Sequence, residues 1–112
     1  MTQSDLHIYH LKTCDTCRKA IKALADRNPT LTDVRADGVP IDVLETLLAD
    51  LGEALINTRS TTWRGLDAAE RERPPLDLLV RYPTLMKRPV IVADGTATVG
   101  WTPSVRAELG VS

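Results

Sequence analysis

The chain has 112 residues, 43% hydrophobic and 26% charged, with a formal net charge of -1. That length supports one domain, residues 1–112, with a core of its own and leaves too little chain for a second. The near-neutral balance argues against direct nucleic-acid binding, and no apolar run approaches the ~20 residues that span a bilayer.

Met1-Thr2-Gln3-Ser4-Asp5 lacks the basic start and apolar block of a secretory signal, so a cytoplasmic, membrane-free monomer is expected. Leu6 to Leu11 reads as a buried strand with Leu6, Ile8 and His10 on one face. Thr13 or Cys14 opens a helix whose apolar positions are Cys17, Ala20, Ile21 and Leu24, and Asn28-Pro29 ends it. Thr30 to Asp33 follows as a second strand, parallel to the first because a crossover helix separates them. After the turn at Ala36-Asp37-Gly38, Pro40 suits the first position of a helix with a buried stripe of Ile41, Leu44, Leu47, Leu48 and Leu51, stopped by Gly52. Thr58 to Arg64 is a polar block in which Ser60 caps a short helix, and Leu76 to Arg81 is another helix, ended by Pro83. Val90 to Ala93, Asp94-Gly95 and Thr96 to Trp101 form a hairpin, and Thr102-Pro103 opens a closing helix through Leu109.

Chemistry concentrates in Cys14-Asp15-Thr16-Cys17-Arg18-Lys19, which holds both cysteines of the chain. A thiol at the mouth of a helix faces unpaired N–H groups and the positive end of the dipole, and both favour the nucleophilic thiolate. A second thiol one turn away is placed to attack a mixed disulfide formed by the first. Zinc is a rival use of the pair, with His7 and His10 nearby, but those histidines point to opposite faces of one strand. Two inert buried thiols are the plainer alternative, and a helix mouth suits them poorly. His10, at a strand end, reads as a satisfied, partly buried side chain rather than a base for Cys14. Trp63 reads as packed over arginines or core, and Arg71-Glu72-Arg73 as a solvated loop or helix end.

Strand, C-x-x-C, helix and a later hairpin make the layout of a thioredoxin-like α/β fold with a helical insertion between the βαβ unit and the C-terminal hairpin. Pro89 stands where such folds carry a cis-proline beside the active cysteine; its other reading is the start of an edge strand.

Three blocks together, Cys14 to Ala20, Asn57 to Arg64 and Leu85 to Val90, followed by Val99-Gly100, closely resemble the arsenate reductase (ArsC)/Spx family. Within it, the chain is similar to the YffB-like branch of glutathione-dependent thiol reductases, over almost its whole length. The resemblance implies that Cys14 is the nucleophile and that Arg59 and Arg88 hold an oxyanion or a glutathione adduct, roles that the planar, permanently charged guanidinium suits. Arg18 either adds to that positive field or is a solvated surface arginine. Two departures stand out. Arsenate reductases of the family carry a third arginine in the segment that here reads Val99-Gly100-Trp101-Thr102-Pro103, where the next arginine is Arg106. Loss of such a donor costs about 2–4 kcal/mol of transition-state stabilisation. Cys17 also replaces a common serine, and Spx members use a C-x-x-C pair as a reversible disulfide.

The expected function is therefore a thiol oxidoreductase with no bound cofactor and with glutathione as co-substrate, resolved by glutathione or by Cys17. Arsenate reduction coupled to glutaredoxin is one alternative. The other is an Spx-like regulator that binds RNA polymerase and responds to oxidation of its cysteines.

Overall fold

The computed structural model describes residues 6–111. Its element order is β1 (Leu6–His10), α1 (Asp15–Ala23), β2 (Thr30–Asp33), α2 (Ile41–Leu51), α3 (Thr61–Arg64), α4 (Ala68–Arg71), α5 (Pro75–Arg81), β3 (Val90–Ala93), β4 (Thr96–Val99) and α6 (Pro103–Glu108). The four strands form one sheet in the order β2-β1-β3-β4. β1 and β2 are parallel, as the crossover through α1 requires, whereas β3 runs antiparallel to both β1 and β4. This is the expected thioredoxin-like arrangement, with α3 to α5 inserted between the βαβ unit and the hairpin.

Alternation along the strands divides the core into two layers. Leu6 and Ile8 of β1 and Ile91 of β3 pack with Ala20 and Leu24 of α1, and Trp101, Leu109 and Val111 close that side around α6. Tyr9 and Val90 face the other way, against Leu44 and Leu47 of α2 and Leu78 and Leu79 of α5. A buried side chain of this kind contributes about 1.5–3 kcal/mol, so both layers are needed to hold so short a chain.

Several element ends differ from the sequence-based expectation. α1 stops at Ala23, and a 3-10 turn over Ala25–Arg27 carries the chain to Asn28, whose left-handed φ of 52° precedes Pro29. Pro40 lies just outside α2 as its N-cap, with an extended ψ of 146°. Ile41 does not join the buried stripe: it is 55% exposed, because the first turn of α2 projects beyond the layer and leaves the burial to Leu44 and Leu47. β4 ends at Val99 rather than Trp101, since Gly100 takes a φ of 87° that few residues besides glycine adopt. α4, capped by Asp67, is an additional element that the charged Arg71-Glu72-Arg73 run concealed.

Candidate active site

Strand register assembles the site. Tyr9 is paired with Val90 and Val90 with Val99, while His10 is paired with Asp33. The carboxyl ends of β1, β2 and β4 and the amino end of β3 thus lie along one edge of the sheet. The chain segments leaving or entering that edge are Leu11 to Cys14, Val34 to Asp37, Arg88-Pro89 and Gly100. The Arg88–Pro89 peptide is cis, Pro89 is buried, and the Pro89 carbonyl accepts the Gly100 N–H at 2.8 Å.

Cys14 is the N-cap of α1, with extended φ and ψ of -91° and 115°. Its own N–H donates to the Leu11 carbonyl at 2.9 Å, which closes the loop and fixes where the sulfur projects. The Cys14 Sγ accepts the Cys17 N–H at 3.4 Å, taking the capping role that a serine or aspartate oxygen fills elsewhere. Cys14 is half-buried against the α2-side layer, whereas Cys17 is fully buried. Burial, reinforced by the side-chain hydrogen bond to Cys14, pushes the Cys17 thiol up to about 12. The Leu11 backbone and the positive charge of Arg88 act in the opposite direction and do not overcome it. Both thiols are free.

Arg88 belongs with the cysteines, since its charge reaches Cys17. Its Nη1 donates to the carbonyls of Thr84 and Met86, both at 2.7 Å, which folds the side chain back over its own approach segment. Its Nε is buried and has no hydrogen-bond partner among the described residues. A buried donor left so costs about 1–3 kcal/mol, which an incoming anion would relieve.

Arg59 lies on a segment bound to the one that leads to Arg88. Ile56 and Met86 form an antiparallel bridge, with Asn57 N–H to Leu85 O at 2.8 Å and Lys87 N–H to Leu55 O at 2.7 Å. Asn57 then turns the chain: its side-chain oxygen accepts Arg59 N–H at 3.0 Å, and its carbonyl accepts the Ser60 hydroxyl at 2.9 Å. The polar block is therefore stitched to the segment on which Arg88 lies, and Thr62 meets Thr84 hydroxyl to hydroxyl at 2.9 Å. The Arg59 guanidinium is on the exposed side of this turn with no hydrogen bond to Cys14. Ser60 caps α3 as the sequence suggests, accepting Trp63 N–H at 3.1 Å. Arg18 is exposed and ion-paired with Asp15 on the outer face of α1.

Asp33 is a residue that sequence reasoning missed. It is buried at the end of β2, where Oδ1 accepts the N–H groups of Arg35 and Ala36 at 2.9 and 2.8 Å. Oδ2 takes the N–H of Lys12 at 3.1 Å, two residues before Cys14. The Ala36 N–H above all, with those of Lys12 and Arg35 and the charge of nearby His10, holds this carboxyl below the ordinary carboxylate range against the effect of burial. Asp33 thereby ties the cysteine loop to the β2 turn. His10 is buried on the same edge, while His7 stacks on Tyr9 at 4.2 Å and bonds Thr32 Oγ1 at 2.6 Å on the opposite face. Among the described residues no three histidine, cysteine or acidic side chains come together as a metal-ligand set.

Comparison with known proteins fits this geometry. The family model for the ArsC family matches residues 9–108. The chain belongs to the ArsC family. Among solved structures, that of the YFFB protein superposes with a TM-score of 0.83 at 29% identity, covering 92% of this chain and 96% of that one. An arsenate reductase (ArsC) related protein from Brucella melitensis gives 0.70 at 30% identity, covering 96% of each chain. A protein of Haemophilus influenzae, named only as uncharacterized, is 42% identical over 101 residues, or 84% of this chain and 89% of that protein. Arsenate reductase from Vibrio cholerae shares the fold, with a TM-score of 0.80 at 20% identity over 96% of this chain and 98% of that one. As an ArsC-family member of YffB-like type, the chain carries the fold of the thiol oxidoreductases and arsenate reductases in that family. No helix among the described residues is long and apolar enough to cross a membrane.

Proposed function

We propose that this ArsC-family protein is a glutathione-dependent thiol reductase in which Cys14 is the nucleophile and Arg59 and Arg88 hold the carboxylates of glutathione beside Pro89. The observation that carries the reading is the buried Nε of Arg88, which has no hydrogen-bond partner among the described residues, on a side chain whose charge acts at the Cys17 thiol one turn from Cys14. A carboxylate satisfies such a donor, and a fixed guanidinium discriminates in favour of anionic ligands. Arg18 contributes less to the field, because Asp15 pairs with it in solvent.

The reaction divides into two exchanges. Cys14 thiolate attacks the glutathione sulfur of a mixed disulfide R–S–S–G. The Cys14–S–S–G bond forms, the original S–S bond breaks, and R–S⁻ leaves to take up a proton from water. A thiolate then attacks the glutathione sulfur of that adduct and returns Cys14 as thiolate. With glutathione as the second thiolate, R–S–S–G and GSH become R–SH and GSSG.

Intact-mass analysis after oxidised glutathione tests the first step, and reduction of a glutathionylated peptide coupled to glutathione reductase tests turnover. One glutathionyl group on Cys14 with steady turnover is expected; no adduct and no turnover would overturn the reading. Arsenate in place of the peptide, with glutathione and glutaredoxin, tests the oxyanion alternative. Little or no arsenate-dependent turnover is expected, since the segment from Val99 to Pro103 has no arginine and the next, Arg106, lies within α6.

A further inference from the structure

We propose that the groove between β1 and the start of α2 binds a small primary ammonium compound with an aromatic body. None of the residues that line it belongs to the segments that form the cysteine edge. It is therefore a second site, and it does not depend on the glutathione reading.

Three observations carry it. First, a buried tyrosine lines the groove with its hydroxyl unmet. The chain has two tyrosines, and Tyr82 donates its hydroxyl to Glu70 at 3.2 Å. Tyr9 is only 6% exposed, yet its phenol is acted on by burial and by the charge of Asp42, with no hydrogen bond among the described residues. Buried hydroxyls are ordinarily bonded, so one left over marks a place for a ligand. Second, the polar groups around it are acceptors. Tyr9, Asp42 and Thr46 line one cleft of about 230 Å³. Asp42 stands in the first turn of α2, and its carboxylate forms no ion pair among the described residues. The Thr46 hydroxyl donates to the Asp42 carbonyl at 3.0 Å, which leaves its oxygen free to accept. An ammonium carries three N–H donors and no acceptor, so the Asp42 carboxylate, Tyr9 Oη and Thr46 Oγ1 match it one for one.

Third, an adjoining cleft provides for the body of the ligand. It measures about 320 Å³, shares Tyr9 and Val92 with the first, and continues along β1 to His7 and Thr30. His7 stacks flat on Tyr9, with 4.2 Å between ring centres and 6° between planes, and its Nε2 is hydrogen-bonded to Thr32 Oγ1 at 2.6 Å. The imidazole is thereby fixed and half-buried, with one face on Tyr9 and the other available to a second ring. Burial lowers the His7 pKa below its ordinary 6.5, so the ring is neutral near pH 7. No lysine or arginine lines either cleft, which leaves Asp42 as the one charge in the lining and selects a cation over an anion.

The probe is 2-phenylethylammonium, titrated into the full chain near neutral pH and followed in proton–nitrogen correlation spectra. Saturable shifts in β1 and α2, with a Kd of about 1 mM, are expected for so small a ligand. Phenylethanol keeps the ring without the charge and should bind about tenfold more weakly or worse. Propylammonium keeps the charge without the ring and should lose about threefold. Three variants, each shown by thermal melts to fold, locate the site. Asp42→Asn should weaken binding about tenfold, and Tyr9→Phe, which removes only the hydroxyl, about threefold. Glu45→Gln alters an exposed acid of α2 outside the cleft and should bind within about twofold of wild type. The absence of saturable shifts overturns the proposal, as does an affinity that neither Asp42→Asn nor Tyr9→Phe changes. A loss in Glu45→Gln equal to that in Asp42→Asn overturns it too, since it shows only a general attraction to an acidic helix. Reaction of Cys14 with Ellman's reagent should be unaffected by saturating amine. Protection of Cys14 that persists in Asp42→Asn places the amine at the cysteine edge and overturns the second site.

Discussion

The helical insertion and the cysteine edge of the sheet both carry arginines, and they use them in opposite ways. In the insertion, Arg64 donates to the Arg59 carbonyl, and Arg73 is paired with Glu70 and Asp77. Arg81 pairs with Asp77, and Arg71 lies 5.4 Å from the centre of the Trp63 ring while donating to the Trp63 and Arg64 carbonyls. Every one of these side chains finds its partner within eight residues of chain, so the cluster is internally spent. At the cysteine edge, Arg88 keeps a buried Nε without a partner among the described residues, and on the turn before α3 the exposed Arg59 guanidinium has no hydrogen bond among them. Hydrogen-bonding capacity left over in a fold is where a ligand gains most, because the protein has already borne the cost of leaving it unmet.

Substitutions on the two sides should separate accordingly. Cys14→Ser removes the nucleophile and should lower glutathione-dependent turnover by about a thousandfold or more, read in the coupled assay, with little change in the melting temperature. Arg88→Ala is next: losing a charge-assisted donor at the reacting end should cost about a hundredfold in kcat/KM, and glutathionylation of Cys14 should slow in step. If Arg88→Ala leaves the rate untouched while Arg71→Ala lowers it, the division between spent and available arginines is wrong.

Asp33→Asn tests the cysteine edge through stability. An amide offers one oxygen where the carboxylate uses two, so Lys12 or the β2 turn loses its acceptor, and urea unfolding should show a loss of about 1–3 kcal/mol near neutral pH. The backbone N–H groups hold this carboxyl below its ordinary 3.8 in the folded protein. Its contribution is therefore complete above that value and is lost as pH falls through the depressed one. The wild-type advantage over Asp33→Asn should shrink in unfolding curves taken below about pH 4. Arg71→Ala should have the smallest effect, about 0.5–1 kcal/mol in the same unfolding measurement from loss of the Trp63 contact, with turnover preserved.

The legible parts of the fold were those in which local pattern and tertiary packing agree. β1, α1, β2 and the hairpin follow from apolar runs, Cys14 as a cap, and Asp94-Gly95, whose φ values of 51° and 81° close the turn. The insertion was less legible because α3 and α4 are four residues each and are held by caps and ion pairs rather than by an apolar stripe. Ile41 misled for a related reason: periodicity says which face of a helix is apolar but not how far the layer beneath it extends. Half of the role of Asp33 was open to reading, since an aspartate ending a strand before a turn commonly accepts the next two or three N–H groups. Its bond to Lys12 spans 21 residues and leaves no local signature.

By itself, the sequence determined the chemistry available and its order along the chain: a thiol at a helix mouth, a second thiol three residues on, arginines at 59 and 88, and a proline before the third strand. Those follow from residue type and spacing, which are one-dimensional. What the two thiols and the arginines are free to do was decided in three dimensions. Register drew Cys14, Asp33 and Pro89 to one sheet edge, packing against the sheet sealed Cys17, and the fold-back of Arg88 used one nitrogen and left another bare. Burial and hydrogen-bond satisfaction depend on distant neighbours, and they leave Cys14 half-buried while Cys17 is sealed in the core.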